Sequence, residues 1–439
     1  MTQNLYITGA ERGSGKSVIV LAMMEMLCGH AGKVGFFRPV VHSGGQWDSL
    51  VHLIAERYQL DWPYEDMVGC SSEVARELIT ANRYDELLKI ILVQYRKLQA
   101  KCERVLCAGT DYRGGHSVLE FDFNSDVANN LGCFILPVVR GNGRSNEEIR
   151  DATGGFLKSL RERHCDILAA VINSVPRDQL DALKAQLDKA PLSQSPVYLV
   201  PEEPLLSRPT LADIARCLDT RVIYGEASGM NRVVQNYKVA AMQVPGFLDY
   251  VEEGSLIITP ADRADIILAC FLSYPSKACA QIAGLLLTGR QEPAPQLVEL
   301  LSGLGKPPFA ILSVTSDTFT TALNVSRIAA ELAADNEHKI AAALGIVEAS
   351  VDLQQLEQSL AARRSTRVTP LMFESELVQR AKAQQQHIVL PEGGEERILR
   401  AAERLALRGV ALLTLLGNSD KVQQKIQALG LRRDEVTLI

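Results

Sequence analysis

The stretch that decides the fold is TGAERGSGKS at residues 8–17, a glycine-rich run that ends in Lys16 and Ser17. It lies between two apolar segments, which we predict to be a strand at 4–8 and a helix at 16–28. Glycines let successive backbone N–H groups turn toward one anion, and the start of a helix adds its positive dipole end. Lys16 can then reach the outer phosphates of a nucleotide, and the Ser17 hydroxyl can hold Mg²⁺. The sequence therefore predicts a phosphate-binding loop.

The residues around this loop alternate short apolar runs with longer helical patterns. Predicted strands lie at 4–8, 34–37, 104–107, 133–139, 167–173 and 197–200, and predicted helices at 16–28, 48–58, 84–101 and 147–163. Alternation of this kind is typical of parallel strands joined by crossover helices. We therefore predict an α/β fold that begins with a doubly wound parallel sheet, whose ligands lie at the carboxyl ends of its strands.

Two further α/β segments follow a proline-marked stretch at 201–209. Predicted elements of the second segment are strands at 255–258, 282–287 and 309–314, then helices at 318–334 and 353–362. Predicted elements of the third are helices at 373–384 and 395–408 and strands at 387–390, 411–416 and 436–439. The third has few elements to cover a parallel sheet, so we expect it to be incomplete. The predicted domains are 1–204, 205–362 and 370–439, with a linker at 363–369.

The composition is that of an ordinary globular chain and argues against several classes of function. Of the 439 residues, 47% are hydrophobic, and the formal net charge of −6 gives no basic surface for nucleic acid. We expect neither a secretory signal nor a membrane span, since no apolar run reaches the ~18 residues that a span needs. The nine cysteines form no Cys-x-x-Cys pair, so we expect reduced thiols and a cytoplasmic location.

The spacing of the loop departs from the strict Gly-x4-Gly-Lys-Ser pattern, because Ala10 occupies the usual first-glycine position. In this spacing the stretch resembles dethiobiotin synthetase and the cobyrinic acid diamide synthase group. The alternative is a glycine-rich turn without a ligand. The resemblance implies that ATP or another purine nucleotide binds with Mg²⁺, and that Arg38 replaces a lysine that follows the second strand of that family. The implied nucleotide-binding residues are Gly9, Glu11, Gly13, Gly15, Lys16, Ser17 and Arg38.

The same resemblance suggests metal ligands and shows one departure from the family. Ser17, Asp48 and Asp111 are the candidate metal ligands, although Asp48 as a helix cap and Asp111 as a turn residue are the plainer interpretations. The family typically has a glutamate after the strand at 104–107, and this chain has Ala108 there. Losing that carboxylate weakens metal positioning, so we expect nucleotide binding to survive better than hydrolysis.

The later segments resemble two more families. Residues 254–269 and 282–289 are similar to the DRTGG domain, in which Asp262 and Asp265 serve as helix caps or mark a ligand site. HIVLPEGGEERILRAA at 387–402 and LLGN at 415–418 resemble the opening of the phosphate acetyl/butyryltransferase domain. Three resemblances in this order identify the chain as similar to the N-terminal portion of a long-form phosphate acetyltransferase.

That resemblance implies acyl transfer between acetyl-CoA and inorganic phosphate, which gives acetyl phosphate and CoA. The catalytic groups of the family come from a later part of its domain, so no catalytic residue is assigned and we expect no transfer by this chain alone. The resemblance also implies small-molecule ligands, coenzyme A among them, and a homo-oligomer. Two alternatives stay open: a free-standing ATP-dependent enzyme like dethiobiotin synthetase, and a nucleotide-sensing interaction module without chemistry.

Overall fold

The computed structural model describes residues 3–30, 32–42, 48–110, 117–225, 227–274, 276, 279–289, 293–303, 309–328, 330–363, 368–428 and 436–438. Three separate sheets divide these residues into a first, a second and a third unit. No helix in these ranges is both long and apolar enough to cross a membrane.

The first unit is a seven-stranded parallel sheet in the order β3-β2-β4-β1-β5-β6-β7. Its strands are β1 (Leu5–Gly9), β2 (Val34–Val41), β3 (Val68–Ser71), β4 (Arg104–Ala108), β5 (Phe134–Arg140), β6 (Ala170–Val175) and β7 (Val197–Pro201). Its helices are α1 (Lys16–His30), α2 (Ser49–Arg57), α3 (Ser72–Thr80), α4 (Tyr84–Gln99), α5 (Ser117–Leu131), α6 (Asn146–Glu162), α7 (Leu180–Lys189) and α8 (Pro204–Ser207). The predicted doubly wound sheet is confirmed, and its strand order reverses beside β1, where such folds bind ligands.

The second unit is a five-stranded sheet in the order β8-β12-β11-β10-β9, in which only β8 runs antiparallel to its neighbour. Its strands are β8 (Arg221–Tyr224), β9 (Asn236–Val239), β10 (Ser255–Pro260), β11 (Gly284–Thr288) and β12 (Ala310–Ser313). Its helices are α9 (Leu211–Leu218), α10 (Ala227–Met230), α11 (Val244–Tyr250), α12 (Ala264–Ser273), α13 (Pro295–Gly303) and α14 (Thr318–Val325).

The helix predicted at 318–334 is wrong in its length, because α14 ends at Val325. A new helix, α15 (Glu337–Glu348), starts after Asn336, whose side chain accepts a hydrogen bond from the Lys339 N–H. Cap residues of this kind favour a helix start over the continuation of a preceding helix. The helix α16 (Leu353–Ala362) follows, as the sequence predicts.

Helices α15 and α16 pack against the first unit. Ile340, Ala343 and Val347 of α15 are buried in the same core as α1. This packing explains why α1 is apolar on nearly all sides: one side faces the sheet, and α15 covers another. The predicted domain boundaries stay a prediction.

The third unit is a three-stranded parallel sheet in the order β13-β14-β15. Its elements are α17 (Pro370–Ala383), β13 (Gln386–Leu390), α18 (Glu396–Leu407), β14 (Ala411–Leu415), α19 (Ser419–Ala428) and β15 (Val436–Leu438). Helices α18 and α19 cover one face of the sheet. On the other face, the side chains of Val389 and Leu412 are 51% and 56% exposed. This agrees with the uncovered apolar surface that the sequence predicts.

Candidate functional site

The loop at residues 8–17 adopts the turn that its glycines predict. Gly13 and Gly15 both have a φ of +76°, a conformation that costs other residues free energy. Asn173, in the carboxyl-terminal half of β6, donates its side-chain amide to the Ser14 carbonyl oxygen at 2.9 Å. Ala10 N–H donates to the Val138 carbonyl oxygen of β5 at 2.9 Å. Two neighbouring strands therefore hold the loop at the start of α1.

We expect Gly15→Ala to destabilise the protein by about 2 kcal/mol, because the positive φ at this position is a strained conformation for alanine. A Cβ atom at position 15 would also lie 2.0 Å from the Asn173 amide nitrogen, so that this clamp must move. Gly155 in α6 is the matched control: a Cβ atom added there would meet no other side chain within 4 Å among the described residues, and Gly155→Ala should stabilise by about 0.5–1 kcal/mol. Urea unfolding measures both, and equal midpoints would contradict the assigned loop geometry.

Glu11 binds an arginine beside the loop. The Arg144 guanidinium contacts the two Glu11 carboxylate oxygens at 2.6 and 2.7 Å and also donates to the Arg140 carbonyl oxygen at 3.0 Å. Bidentate pairs of this kind fix both partners in orientation. Glu11 therefore holds the loop against the segment before α6.

Two buried cations converge on the carboxyl end of β4. Lys16 Nζ donates to the Gly109 carbonyl oxygen at 2.5 Å, and Arg38 Nη1 donates to the same oxygen at 3.0 Å. Lys16 is 5% exposed and Arg38 is 9% exposed. Asn124 accepts a hydrogen bond from the Thr110 N–H and so fixes the backbone after Gly109. Positive charge is therefore concentrated at the carboxyl end of β4.

Asp48 lies beside Arg38 and also caps α2. Its Oδ1 accepts hydrogen bonds from Leu50 N–H and Val51 N–H, and its Oδ2 is 3.3 Å from Arg38 Nη2. The Tyr64 hydroxyl accepts a hydrogen bond from Asp48 N–H, and burial raises the pKa of Tyr64. Both oxygens of Asp48 are thus engaged within the protein.

The other metal positions of the sequence prediction give little support for a metal. Ala108 is fully buried and has no ligand atom, and Asp111 lies outside the described residues. Ser17 is at the start of α1, as predicted. Among the described residues, no group of three or more His, Cys, Asp or Glu side chains is arranged to hold a metal.

These residues line a cleft of about 490 Å³ beside the loop, a size that suits a small-molecule ligand. Cations and polar groups come from the loop and from the ends of β2, β5 and β6, and apolar groups come from the segment between α14 and α15. The main lining residues are Arg12, Lys16, Arg38, Arg140, Asn142, Asn173, Glu203, Leu206, Ile328, Glu331 and Leu332. The predicted site residues Gly13, Gly15, Lys16, Ser17, Arg38 and Asp48 all line this cleft.

Sequence reasoning missed Asn173, Arg140 and Arg144. Asn173 is 159 positions from Ser14 along the chain, and only the sheet order brings β6 close to the loop. A polar residue at the end of an apolar strand is the signal that could have indicated Asn173.

Of the two acids predicted at the strand end of the second unit, Asp265 has a local side-chain partner. Both oxygens of Asp265 accept hydrogen bonds from Arg263 at 2.8 Å, which lowers the pKa of Asp265. Arg263 also donates to the Met242 carbonyl oxygen at 2.8 Å. The arrangement is a surface turn closed by an ion pair.

A second cavity, of about 900 Å³, lies where β5 begins, among Phe134, Arg161 and Arg363. Both arginines donate to backbone carbonyl oxygens there, Arg161 to Leu192 and Arg363 to Ile167. It is at the amino-terminal end of the strand, away from the loop. The cleft beside Lys16 remains the better candidate, since ligands of such sheets bind at the carboxyl ends.

Three family models match the chain in succession. The AAA domain matches residues 3–223, the DRTGG domain residues 213–328, and the phosphate acetyl/butaryl transferase family residues 372–439. The first of these covers half of the chain and contains the whole phosphate-binding loop.

Curated relatives match along nearly the whole chain. A phosphate acetyltransferase from Nitratidesulfovibrio vulgaris is 40% identical and one from Synechocystis is 33% identical, each over 100% of this chain. A third, from Pseudomonas aeruginosa, is 29% identical over 95% of this chain. The chain spans only 63%, 64% and 61% of the length of these three relatives.

Proposed function

Because the chain belongs to the phosphate acetyltransferase family, we propose that it is the nucleotide-binding, regulatory portion of such an enzyme. The observation that carries the proposal is the convergence of Lys16 and Arg38 on one carbonyl oxygen, beside a glycine-rich loop that leads into α1. Cations and helix N-termini at one point bind phosphate groups. The ligand is a purine nucleotide.

Calorimetric titration of the chain with ATP, ADP, GTP and GDP tests this function and identifies the base. One saturable site for at least one of them is the expected result. The absence of binding heat with all four, at protein and ligand concentrations that detect a millimolar Kd, would refute the proposal.

The curated relatives are phosphate acetyltransferases. We propose that the reaction to which this chain contributes uses acetyl-CoA and inorganic phosphate, the substrates that the family resemblance implies. The chain's own part is nucleotide binding and regulation. A free-standing synthetase is the weaker alternative, since Ala108 stands where that group carries its metal-binding carboxylate.

We expect the 439 residues alone to release no CoA from acetyl-CoA and phosphate. The turn after β13 carries Glu392 and Glu395, Glu396 begins α18, and acids at this point repel phosphate and the phosphates of CoA. A thiol assay at saturating substrates measures the release. The control is the chain extended by the C-terminal third of the Nitratidesulfovibrio vulgaris relative, and phosphate-dependent CoA release by the unextended chain would contradict the expectation.

The proposal also includes a cytoplasmic location and a homo-oligomer. All nine cysteines lie in the described part of the chain and each is a free thiol, which supports a reducing compartment. The half-exposed Val389 and Leu412 on the uncovered face of the third sheet support self-association.

The magnesium ion implied by the loop's resemblance does not fit the described residues well. Ser17 is in place, but Asp48 uses both oxygens within the protein and Ala108 supplies none. No step of the proposed function is routed through a metal.

A further inference from the structure

The carboxyl end of β4 is where a metal-binding carboxylate would stand, and this chain places two cations there instead. Ala108 has no ligand atom, and the next carbonyl oxygen, of Gly109, accepts hydrogen bonds from both Lys16 Nζ and Arg38 Nη1. A divalent cation at this point would lie against two positive side chains and be repelled by both. The geometry favours an anion here.

Asp48 cannot compensate without breaking three contacts. Its carboxylate caps α2 through Leu50 and Val51 and pairs with Arg38, whose side chain is 11% exposed while that of Asp48 is 10% exposed. To bind a metal, it would give up the helix cap or leave Arg38 without its acid. The structure therefore assigns Asp48 to orienting Arg38.

Arg38 carries an unsatisfied donor. Among the residues that the structure describes, its buried Nε–H has no hydrogen-bond partner, although the side chain lines the cleft. A buried donor without a partner is costly, and a guanidinium binds phosphate oxygens through two parallel N–H groups. A phosphate oxygen in the cleft would satisfy this atom, while a metal ion would not.

From these three observations we propose that the cleft binds the di- or triphosphate of a nucleotide without a divalent metal, and that Arg38 supplies the positive charge which the metal supplies in related loops. The inference rests on the proposed nucleotide function. The ligand is the metal-free polyphosphate anion, which carries more negative charge than its magnesium complex. It suits a cleft whose lining, among the described residues, has four lysine or arginine side chains against three carboxylates.

Calorimetric titration with ATP and ADP, once with excess MgCl₂ and once with EDTA, tests the inference on the wild-type chain. The Kd values in the two conditions should agree within about threefold. Titration of MgCl₂ alone should give no saturable heat. A Kd more than about 30-fold weaker in EDTA would overturn the inference and leave the nucleotide function standing. Absence of binding in both conditions would refute the nucleotide function itself, and the inference with it.

Ala108→Glu, with Ala108→Gln as its neutral control of the same size, tests the cause. The glutamate restores a carboxylate at the end of β4, so magnesium should tighten binding of ATP to A108E by about tenfold relative to EDTA. The amide of A108Q should leave binding independent of the metal. Metal-independent binding by a folded A108E would overturn the assignment of this property to Ala108. If A108E does not fold, the wild-type comparison alone decides the inference.

Discussion

Lys16→Ala should raise the Kd for ATP and ADP by about 100-fold in calorimetric titration. The Lys16 ammonium is 5% exposed and lies at the start of α1, so its hydrogen bonds to phosphate would form with little competition from water. One charge-assisted hydrogen bond contributes about 1.5–3 kcal/mol, and 1.4 kcal/mol corresponds to tenfold in Kd. Removing the ammonium removes at least one such bond.

The loop itself should survive this substitution, because Gly13, Gly15 and the Asn173 clamp hold its backbone. Lys184 is an exposed lysine on α7, and Lys184→Ala is the matched control that should bind nucleotide as the wild type does. If Lys16→Ala and Lys184→Ala bind ATP equally well, the phosphate-binding role of the loop is wrong.

Lys339→Met lowers the free energy of unfolding by about 3 kcal/mol or more, the largest effect on stability that we expect. Lys339 Nζ lies 3.0 Å from Asp213 Oδ2 and donates to the Glu331 carbonyl oxygen at 3.2 Å. The two charged side chains are 1% and 3% exposed. Without Lys339, the buried Asp213 carboxylate keeps only the partly exposed Arg216 at 3.5 Å and the Thr210 N–H at 2.9 Å. Removing one partner of a buried pair costs about 3–5 kcal/mol, and these remaining contacts place the expected loss near the lower figure.

This pair joins two parts of the fold. Asp213 is in α9 of the second unit, and Lys339 is in α15, which packs on α1, the helix that follows the phosphate-binding loop. In urea unfolding of Lys339→Met, we therefore expect these two parts to separate at a lower urea concentration than in the wild type.

Lys158 forms an exposed pair with Glu162 at 3.9 Å, and Lys158→Met is the control, with an expected loss below about 0.5 kcal/mol. Adding Asp213→Asn to Lys339→Met should recover part of the stability, because the buried charge that lost its Lys339 partner is then gone. Equal urea midpoints for Lys339→Met and Lys158→Met would contradict the structural role of the buried pair.

The fold of the first unit could be predicted because its strands carry strong local signals. The eight residues of β2 are all buried, as expected for a strand covered on both faces, and their apolar run stands out in the sequence. The strands β3, β8 and β9 escaped prediction because each has only four residues and little apolar periodicity. The break between α14 and α15 was missed because the residues around it favour helix, and the Asn336 cap is the local signal for a new helix start.

Only the site residues that lie close together in the sequence could be predicted. The loop residues Gly13, Gly15 and Lys16 follow one another in the sequence, and their spacing indicates their role. The clamp from Asn173 and the pair between Lys339 and Asp213 join residues separated by 159 and 126 positions. Such residues become neighbours only through the order of the strands and the packing of the helices, which the sequence of one chain does not reveal.

The most direct test of the account is a crystal structure of this chain with ADP. We expect the β-phosphate to lie against the backbone N–H groups of residues 13–17, within hydrogen-bond distance of Lys16 Nζ and of Arg38. ADP bound instead at the strand ends of the second unit, with the loop at residues 8–17 empty, would contradict the account.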